Sequence, residues 1–535
     1  VMGYEAAYSL TSADNNTIIG RQAGYNLTTS RYNVLIGDQA GYNLVESSTN
    51  NDNVMIGVSA GYAGDNNWPQ ATDNVYVGRS AGHHLDDGYA NVAIGKEAGF
   101  SDSGGGNASH KSVWIGHQAG YSVTDSYYGV MIGYQAGYDI TTGDSNVLLG
   151  YQAGDNASTL GSSVGIGYQA MGGATGSLLT GANATVAIGT WAWGYADGNT
   201  GNGVYIGYKA GAYDINGGNT AIGYRAMEVA SGSAMNHNTA VGSNAMHNIS
   251  YDNSNANTAI GYNALKGGAV TSHVQYNVAI GATNLQSITG GTNNVAIGGN
   301  SVLNNLTTGG SNVAISRGAG QTLTTTSECI LIGADAGNVL DGTGPNGTIA
   351  IGKLALSTHT TGVRNIAIGW EAMHDTNAGS TSQGSNDNVF IGYAAAGGVW
   401  ANAESNGNVG IGSYVMDSAL DGALYNTAVG AYALSAVTQA DNVVAIGNSA
   451  AYSLTTGANN VAVGRDAMKV HTTGERNIAI GTNAMDDTDA GSTSLGSADN
   501  VFMGHNAGGG TWADAASNRN VSVGNYTMDS ALNGA

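Results

Sequence analysis

One phrase recurs along nearly the whole chain: Asn-Val-x-Ile-Gly, then two variable residues, then Ala followed by Gly, Met or Leu. Clear copies are Asn33-Val34-Leu35-Ile36-Gly37, Asn91-Val92-Ala93-Ile94-Gly95 and Asn294-Val295-Ala296-Ile297-Gly298. The frame runs from Gly3 to Gly524, and Ser316 is the single break in its glycine column. Copies lie about 17 residues apart, stretching to roughly 23 where residues are inserted between the Ala and the next Asn. A period of this kind predicts an all-β chain, a parallel β-solenoid (β-roll) of about 29 rungs, each rung pairing with the ones above and below.

Each position in the phrase has a physical reason. Val and Ile stand two apart and share one strand face, so the expectation is a continuous inward apolar stripe. The glycine after them permits a sharp turn, and the Ala three residues later suits a tight corner. The Asn before the strand recurs in about 20 copies; it tolerates left-handed backbone and can stack as a hydrogen-bonded ladder. The residue between Val and Ile is apolar as well: Leu35, Met55, Tyr76, Trp114, Met131, Phe390 or, often, Ala. A strand apolar on both faces must be covered on both. With no helical period to supply a cover, the middle column is expected to face another copy of the same chain.

That column changes along the chain, bulky before about residue 210 and mostly Ala from Ala221 to Ala314. Corners change too, from Ala23-Gly24-Tyr25 to Ala226-Met227 and Ala264-Leu265. These changes predict one continuous solenoid over 1–535 with sub-segments 1–211, 212–362 and 363–535, thicker or more loosely wound near its start. In the last sub-segment a six-rung block is duplicated, its second copy cut off by the end of the sequence. Asn365-Ile366-Ala367-Ile368-Gly369 returns as Asn477-Ile478-Ala479-Ile480-Gly481, and Met416-Asp417-Ser418-Ala419-Leu420 as Met528-Asp529-Ser530-Ala531-Leu532.

Composition narrows the function. With 86 Gly, 2 Pro and 42% apolar residues among 535, the chain is neither collagen-like nor too polar to fold. Against 37 acidic residues stand 15 basic ones, so a duplex-binding basic surface is not expected. Cys329, the only cysteine, excludes an internal disulfide and reads as a small buried substitute for Asn. No apolar run reaches membrane-spanning length, and no signal-peptide pattern is visible. The sequence opens and closes inside repeats and reads as a segment of something longer.

The wording Asn-Thr/Val-Ala-Ile-Gly-x-x-Ala-Met/Leu, with Thr-Thr-Gly corners, resembles the repeats of phage-type tail fibre and tail-fibre-domain proteins. Its Val-Ala-Ile-Gly core is similar to the head repeats of trimeric autotransporter adhesins. The resemblance implies an interwound homotrimer serving attachment or display. It departs in the longer repeat, in having nothing like a self-cleaving trimerisation chaperone after Gly524, and in showing no coiled coil or membrane anchor.

No catalytic, cofactor or metal residues are assigned, and an enzyme is not expected. The 11 His fall in no metal-ligand spacing, and His83-His84 reads as a loop pair. Glu97, Asp335 and Glu371 take positions where other rungs carry Gln, Ser or Asn, and read as structural. Asp486-Asp487 is a loop pair in the same sense. A structural Ca2+ is the only ion with candidate ligands, in Asp86-Asp87-Gly88 and Asp341-Gly342-Thr343-Gly344. Thr corners such as Thr28-Thr29, Thr141-Thr142 and Thr455-Thr456 skip too many rungs to form an ice-binding face. Sequons stand at Asn15, Asn26, Asn107, Asn156, Asn183, Asn248, Asn305 and Asn346.

The expectation is therefore the structural shaft of an extracellular or virion fibre, about 140 Å long at one rung per ~4.8 Å, holding a receptor-binding tip at a distance. Its partners are copies of itself and, through loops 64–73, 104–111, 380–387 and 492–499, a cell-surface glycan or receptor. The alternative is a bacterial surface adhesin whose solenoid or loops bind host glycans directly.

Overall fold

The computed structural model describes the chain except at residues 13, 45–50, 64–70, 86–87, 102–108, 174–178, 196–200, 215–216, 230–234, 250–252, 269, 341–345, 377–383, 489–495, 513–514, 531 and 533–535, and except the side chains of 179–182. It forms two compact units, Val1–Gln275 and Tyr276–Ala535. Each is a parallel β-solenoid. The first runs from the strand Thr17–Ile19 to Thr258–Ile260, the second from Val278–Ala282 to Val521–Val523. Most strands are three residues long, as the phrase requires, and each pairs in parallel with the strand of the next rung. Val34 lies opposite Val54, Leu35 opposite Met55 and Ile36 opposite Ile56. Like residues stack on like through each ladder because a one-residue slip would turn every side chain to the wrong face. A short second pairing joins Ala157–Gly161 to Leu179–Asn183 in the first unit.

The faces of the strands are the reverse of the sequence expectation. The middle residue points inward: Leu35, Met55, Tyr76, Trp114, Met131 and Phe390 are fully buried within their own unit. The flanking Val and Ile lie on the outer face, partly exposed in strand after strand, with Ile19, Ile94, Ile411 and Ile446 about two-fifths open to solvent. Three residues are too few for alternation to show which face is which when all three are apolar.

Inward pointing also explains the two changes along the chain, which are not changes in thickness against a partner. The residue six positions after the middle one, at the corner, fills the same space within the rung. Where the middle is large the corner is small, Gly in nearly every case and Ala396 beside Phe390: a Cβ on Gly82 would lie 2.5 Å from the Tyr76 ring, and one on Gly120 2.3 Å from Trp114. Where the middle is Ala or Gly the corner is in most rungs large and buried: Ala221 with Met227, Ala350 with Leu356, Gly165 with Met171, Gly410 with Met416; at Gly99 and Gly320 the space is taken by Trp114 and by Leu303 and Leu331 of adjacent rungs instead. The volume is shared between two residues of one turn. Met227 and Leu356 take a left-handed backbone (φ 52° and 51°) to fill it.

A double-mutant cycle tests that sharing. Ala350→Leu is expected to overpack its rung and cost about 2 kcal/mol. Leu356→Gly leaves a cavity and costs about 3 kcal/mol. The double variant copies the preceding rung, Leu331 with Gly337, and should return to within about 1 kcal/mol of the parent by chemical denaturation. Strictly additive losses would refute the pairing.

The Asn that precedes most strands forms the expected ladder inside each unit. Asn33 Nδ2 donates to Asn16 Oδ1 (3.2 Å), Asn53 to Asn33 (3.1 Å) and Asn74 to Asn53 (3.2 Å). The same Oδ1 accepts the next rung's backbone N–H, as Asn53 does from Asn74 at 3.1 Å. The other Nδ2 hydrogen goes to a carbonyl at the base of the following loop, Ala71 for Asn53 and Gly88 for Asn74. Left-handed backbone belongs to the residue before the Asn, not to the Asn itself: Tyr32, Asp52 and Asp73 have φ near 60°. Cys329 stands in this column, fully buried, its N–H donating to Asn312 Oδ1 at 3.0 Å. Burial pushes its thiol up to about 11, the inert setting of a packing residue.

Candidate functional site

The residues that sequence reading weighed for chemistry fall into structural columns. Glu97, Asp335 and Glu371 share one corner position, two after the glycine, where the backbone is left-handed at φ 58°. In neighbouring rungs that position carries an amide ladder: Gln118 donates to Glu97 (2.9 Å), Gln135 to Gln118, Gln152 to Gln135 and Gln169 to Gln152. Glu97 caps the ladder and is paired with Lys96 and Arg79. Asp335 is paired with Arg317 at 2.8 Å. The rung carrying Leu354 separates Asp335 from Glu371, so the two do not face each other as an acid–base pair. Among the described residues no three His, Cys, Asp or Glu side chains gather where they could hold a metal ion.

His83 enters an aromatic stack that climbs one corner of the first unit. Tyr8, Tyr25, Tyr42, Tyr62, His83, Phe100, Tyr121 and Tyr138 follow each other at 4.8–5.6 Å between centroids. Burial there lowers the His83 imidazole to about 4, with the neighbouring His84 adding to the shift. Asp486 is raised to about 6, first by burial and then by Asp487. Thr141 and Thr455 bond to carbonyls of the next rung (3.1 Å each), so their hydroxyls serve the solenoid itself. Asn15, Asn183, Asn248, Asn305 and Asn346 are exposed, whereas Asn26 donates its amide to Asn43 at 2.7 Å. The four proposed contact loops lie largely, and Asp86-Asp87, Asp341-Gly342-Thr343-Gly344 and Asn107 almost wholly, outside the described residues.

Two buried pairs escaped sequence reading, although the duplicated block repeats both at the same spacing. Trp400 and Trp512 are fully buried and donate Nε1 to the corner carbonyls of Ala396 (3.1 Å) and Gly508 (3.2 Å). His359 and His471 are likewise fully buried. Asn365 Nδ2 lies 3.1 Å from His359 Nε2, and Nδ1 lies 3.0 Å from Thr376 Oγ1; His471 repeats this with Asn477 and Thr488. Among the described residues the side chains hydrogen-bonded to these rings are neutral, and burial lowers both imidazoles to about 4. The unfolded chain, with His near 6.5, therefore takes up protons first as pH falls. Stability present above about pH 6.5 should decline towards pH 4 by about 3 kcal/mol per histidine. Denaturant midpoints at pH 7 and pH 4 measure this; His359→Gln with His471→Gln should flatten the difference.

What remains unexplained by internal packing is the outer strand face. Two columns of mostly β-branched side chains, Val, Ile or Thr and then Ile or Val (Leu149 and Met503 apart), run side by side through the ladder strands of each unit. Beside them, past the glycine, Tyr134, Tyr151 and Tyr168 stack at 5.1 Å with their edges exposed. A contiguous apolar face of this kind marks an interaction surface, not the scattered exposed side chains normal to a monomer.

The class the structure defines is a β-solenoid repeat protein, all-β, with turns of about 17 residues. Comparison with protein-family models and with curated proteins finds no match to this chain. Among the described residues no helix is long and apolar enough to cross a membrane.

Proposed function

We propose that the chain is a structural element of a fibre, and that copies of the same chain cover its outward Val and Ile columns in a homotrimer. The observation that carries this is the double aliphatic column, partly exposed in nearly every rung and free of charged side chains. A regular surface of that length suits a partner with the same rise per rung, which a second copy supplies by construction. Closure at three follows the resemblance to tail-fibre and adhesin-head repeats. Stacked rungs, each bonded only to its neighbours, suit a mechanical spacer, and an extracellular or virion fibre shaft is the role this supports.

Light scattering on the native protein tests the reading. The expected mass is three times the 53.7 kDa of the chain. Ile94→Lys with Ile446→Lys, each on the outer face, should lower that mass while leaving the strand signal in circular dichroism intact. A parent protein that stays monomeric at micromolar concentration would sink the proposal.

A further inference from the structure

A small cavity lies in the first unit where an aromatic column stops. One residue past the corner, the rungs from Tyr8 to Tyr138 carry a stacked ring. The next three rungs carry Asp155, Gly172 and Gly194 there. The two glycines leave the place of two rings unfilled, and the cavity in that place has a volume of about 120 Å3. Its lining includes Asp155, Asn156, Gln169, Gly172, Trp191 and Tyr195. None of these residues lies in a strand, so the cavity sits off the Val and Ile face and is present whether or not chains associate.

Asp155 is 8% exposed, and its Oδ1 has no hydrogen-bond partner among the described residues. None of the ion pairs among the described residues includes it. A buried carboxylate left unpaired is unfavourable unless a donor, best a charged one, reaches it. A Cβ on Gly172 would stand 3.4 Å from Asp155 Oδ1 and 3.2 Å from the Gln169 carbonyl oxygen, so both acceptors converge on the space this glycine leaves. Trp191 walls another side. It ends the glutamine ladder, donating Nε1 to Gln169 Oε1 at 2.6 Å, and is turned out of the tyrosine stack, at 83° to Tyr168. Tyr195, 6.4 Å from the indole and tilted by 40°, makes a second aromatic wall. Lys209 lies 5.5 Å from the indole centre but is paired with Glu228 at 3.5 Å, so it leaves Asp155 uncompensated.

We propose that this cavity binds the ammonium end of a primary alkylamine, its N–H groups donating to Asp155 Oδ1 and the Gln169 carbonyl and its first carbons lying against Trp191 and Tyr195. A carboxylate beside aromatic rings is the chemistry such a cation requires. The volume admits a few non-hydrogen atoms and falls short of the ~150 Å3 that holds benzene, so the amine enters by its end and no ring fits. An anion is repelled by the carboxylate. A divalent metal ion takes about six or more oxygen ligands, which one carboxylate and one carbonyl do not supply. A quaternary ammonium has no N–H to give Asp155. Burial raises the Asp155 carboxyl to about 6, the backbone N–H groups of Asp155 and Asn156 opposing the shift and Asp139 adding to it. The amine pairs with the ionised form, so affinity should fall about tenfold between pH 7 and pH 5.

Saturation-transfer NMR on the full chain with ethylamine as the probe, at pH 7 and fixed ionic strength in sodium chloride, tests the site. A dissociation constant on the order of 1 mM is expected, seen also as a change in tryptophan fluorescence that Trp191→Phe removes. The isosteric Asp155→Asn, which removes the buried charge, should fold and weaken binding by about tenfold or more. Gly172→Ala, which places a methyl in the cavity, should weaken it likewise; if that variant fails to fold, Asp155→Asn and the pH profile decide. Butylamine and the amide of Nα-acetyl-lysine then separate two sources of the same cation. Equal binding of the two assigns the site to a lysine side chain of a partner, and binding of butylamine alone assigns it to a free amine. No transfer at about 50 mM ethylamine, binding undiminished in Asp155→Asn, or potassium or tetramethylammonium competing as tightly as ethylamine would each overturn the proposal. Light scattering reads the fibre assembly separately, so loss of one conclusion leaves the other standing.

Discussion

Gly57→Ala is expected to cost more than about 3 kcal/mol and to open the ladder on both sides of its rung. Two effects add. Gly57 sits at φ 141°, a region that L side chains rarely adopt, and an added Cβ would lie 2.3 Å from the Gly78 carbonyl oxygen. That oxygen belongs to the backbone of the next rung, so the rung itself must move. The move would strain two ladder bonds of 2.8 Å, from Gly57 N to Ile36 O and from Gly78 N to Ile56 O. Hydrogen exchange should show lost protection centred on the strands Val34–Ile36, Val54–Ile56 and Val75–Val77. Gly299→Ala is the control, since nothing lies within 4 Å of a Cβ there, and it should change stability by less than about 0.5 kcal/mol. Equal effects at the two sites would show that the glycine column is not set by close approach. Ser316, the one break in the column, has φ 98°. It follows a stretch where the stack is already irregular, as Val278–Ala282 pairs with Val295–Asn300 through a register shift.

The second large effect is expected at Asn388→Ala, about 4 kcal/mol. Asn388 is fully buried, and its amide is used on every side. Nδ2 donates to Asn365 Oδ1 (3.1 Å) and the Ser405 carbonyl (2.8 Å). Oδ1 accepts from Asn408 N (3.0 Å) and Asn408 Nδ2 (3.1 Å). Alanine would strand a buried N–H and a buried carbonyl together, each worth about 1–3 kcal/mol unpaired. Asn388→Ser should recover part of the loss, because Ser112 occupies the same column and both accepts from Gly129 N and donates to Ser126 O. Denaturant midpoints for the two variants check this. If Ser is no better than Ala, the ladder acts through shape and not through hydrogen bonds.

The two substitutions probe features that were legible in the sequence, because both are local. A glycine at the same place in all repeats but the one with Ser316, and an Asn one residue before most strands, are periodic signals. Periodicity alone determined the parallel solenoid, the register of like on like and the Asn ladder. The bland assignments of Cys329, Glu97 and Asp335 also follow from seeing which column each residue occupies. What the sequence could not decide was direction. In a strand such as Val-Leu-Ile all three side chains are apolar, and three residues carry no alternation from which inside and outside can be told. Only the folded chain shows Leu35 in the core and Val34 and Ile36 at the surface. For the same reason the exchange of volume between Tyr76 and Gly82, or Ala350 and Leu356, read as a difference between segments of the chain. It is a contact made across a turn, visible only once the turn brings residues six apart face to face. The cavity beside Trp191 is tertiary in a further sense, since Asp155, Gly172 and Trp191 come from three successive rungs and no single repeat contains it.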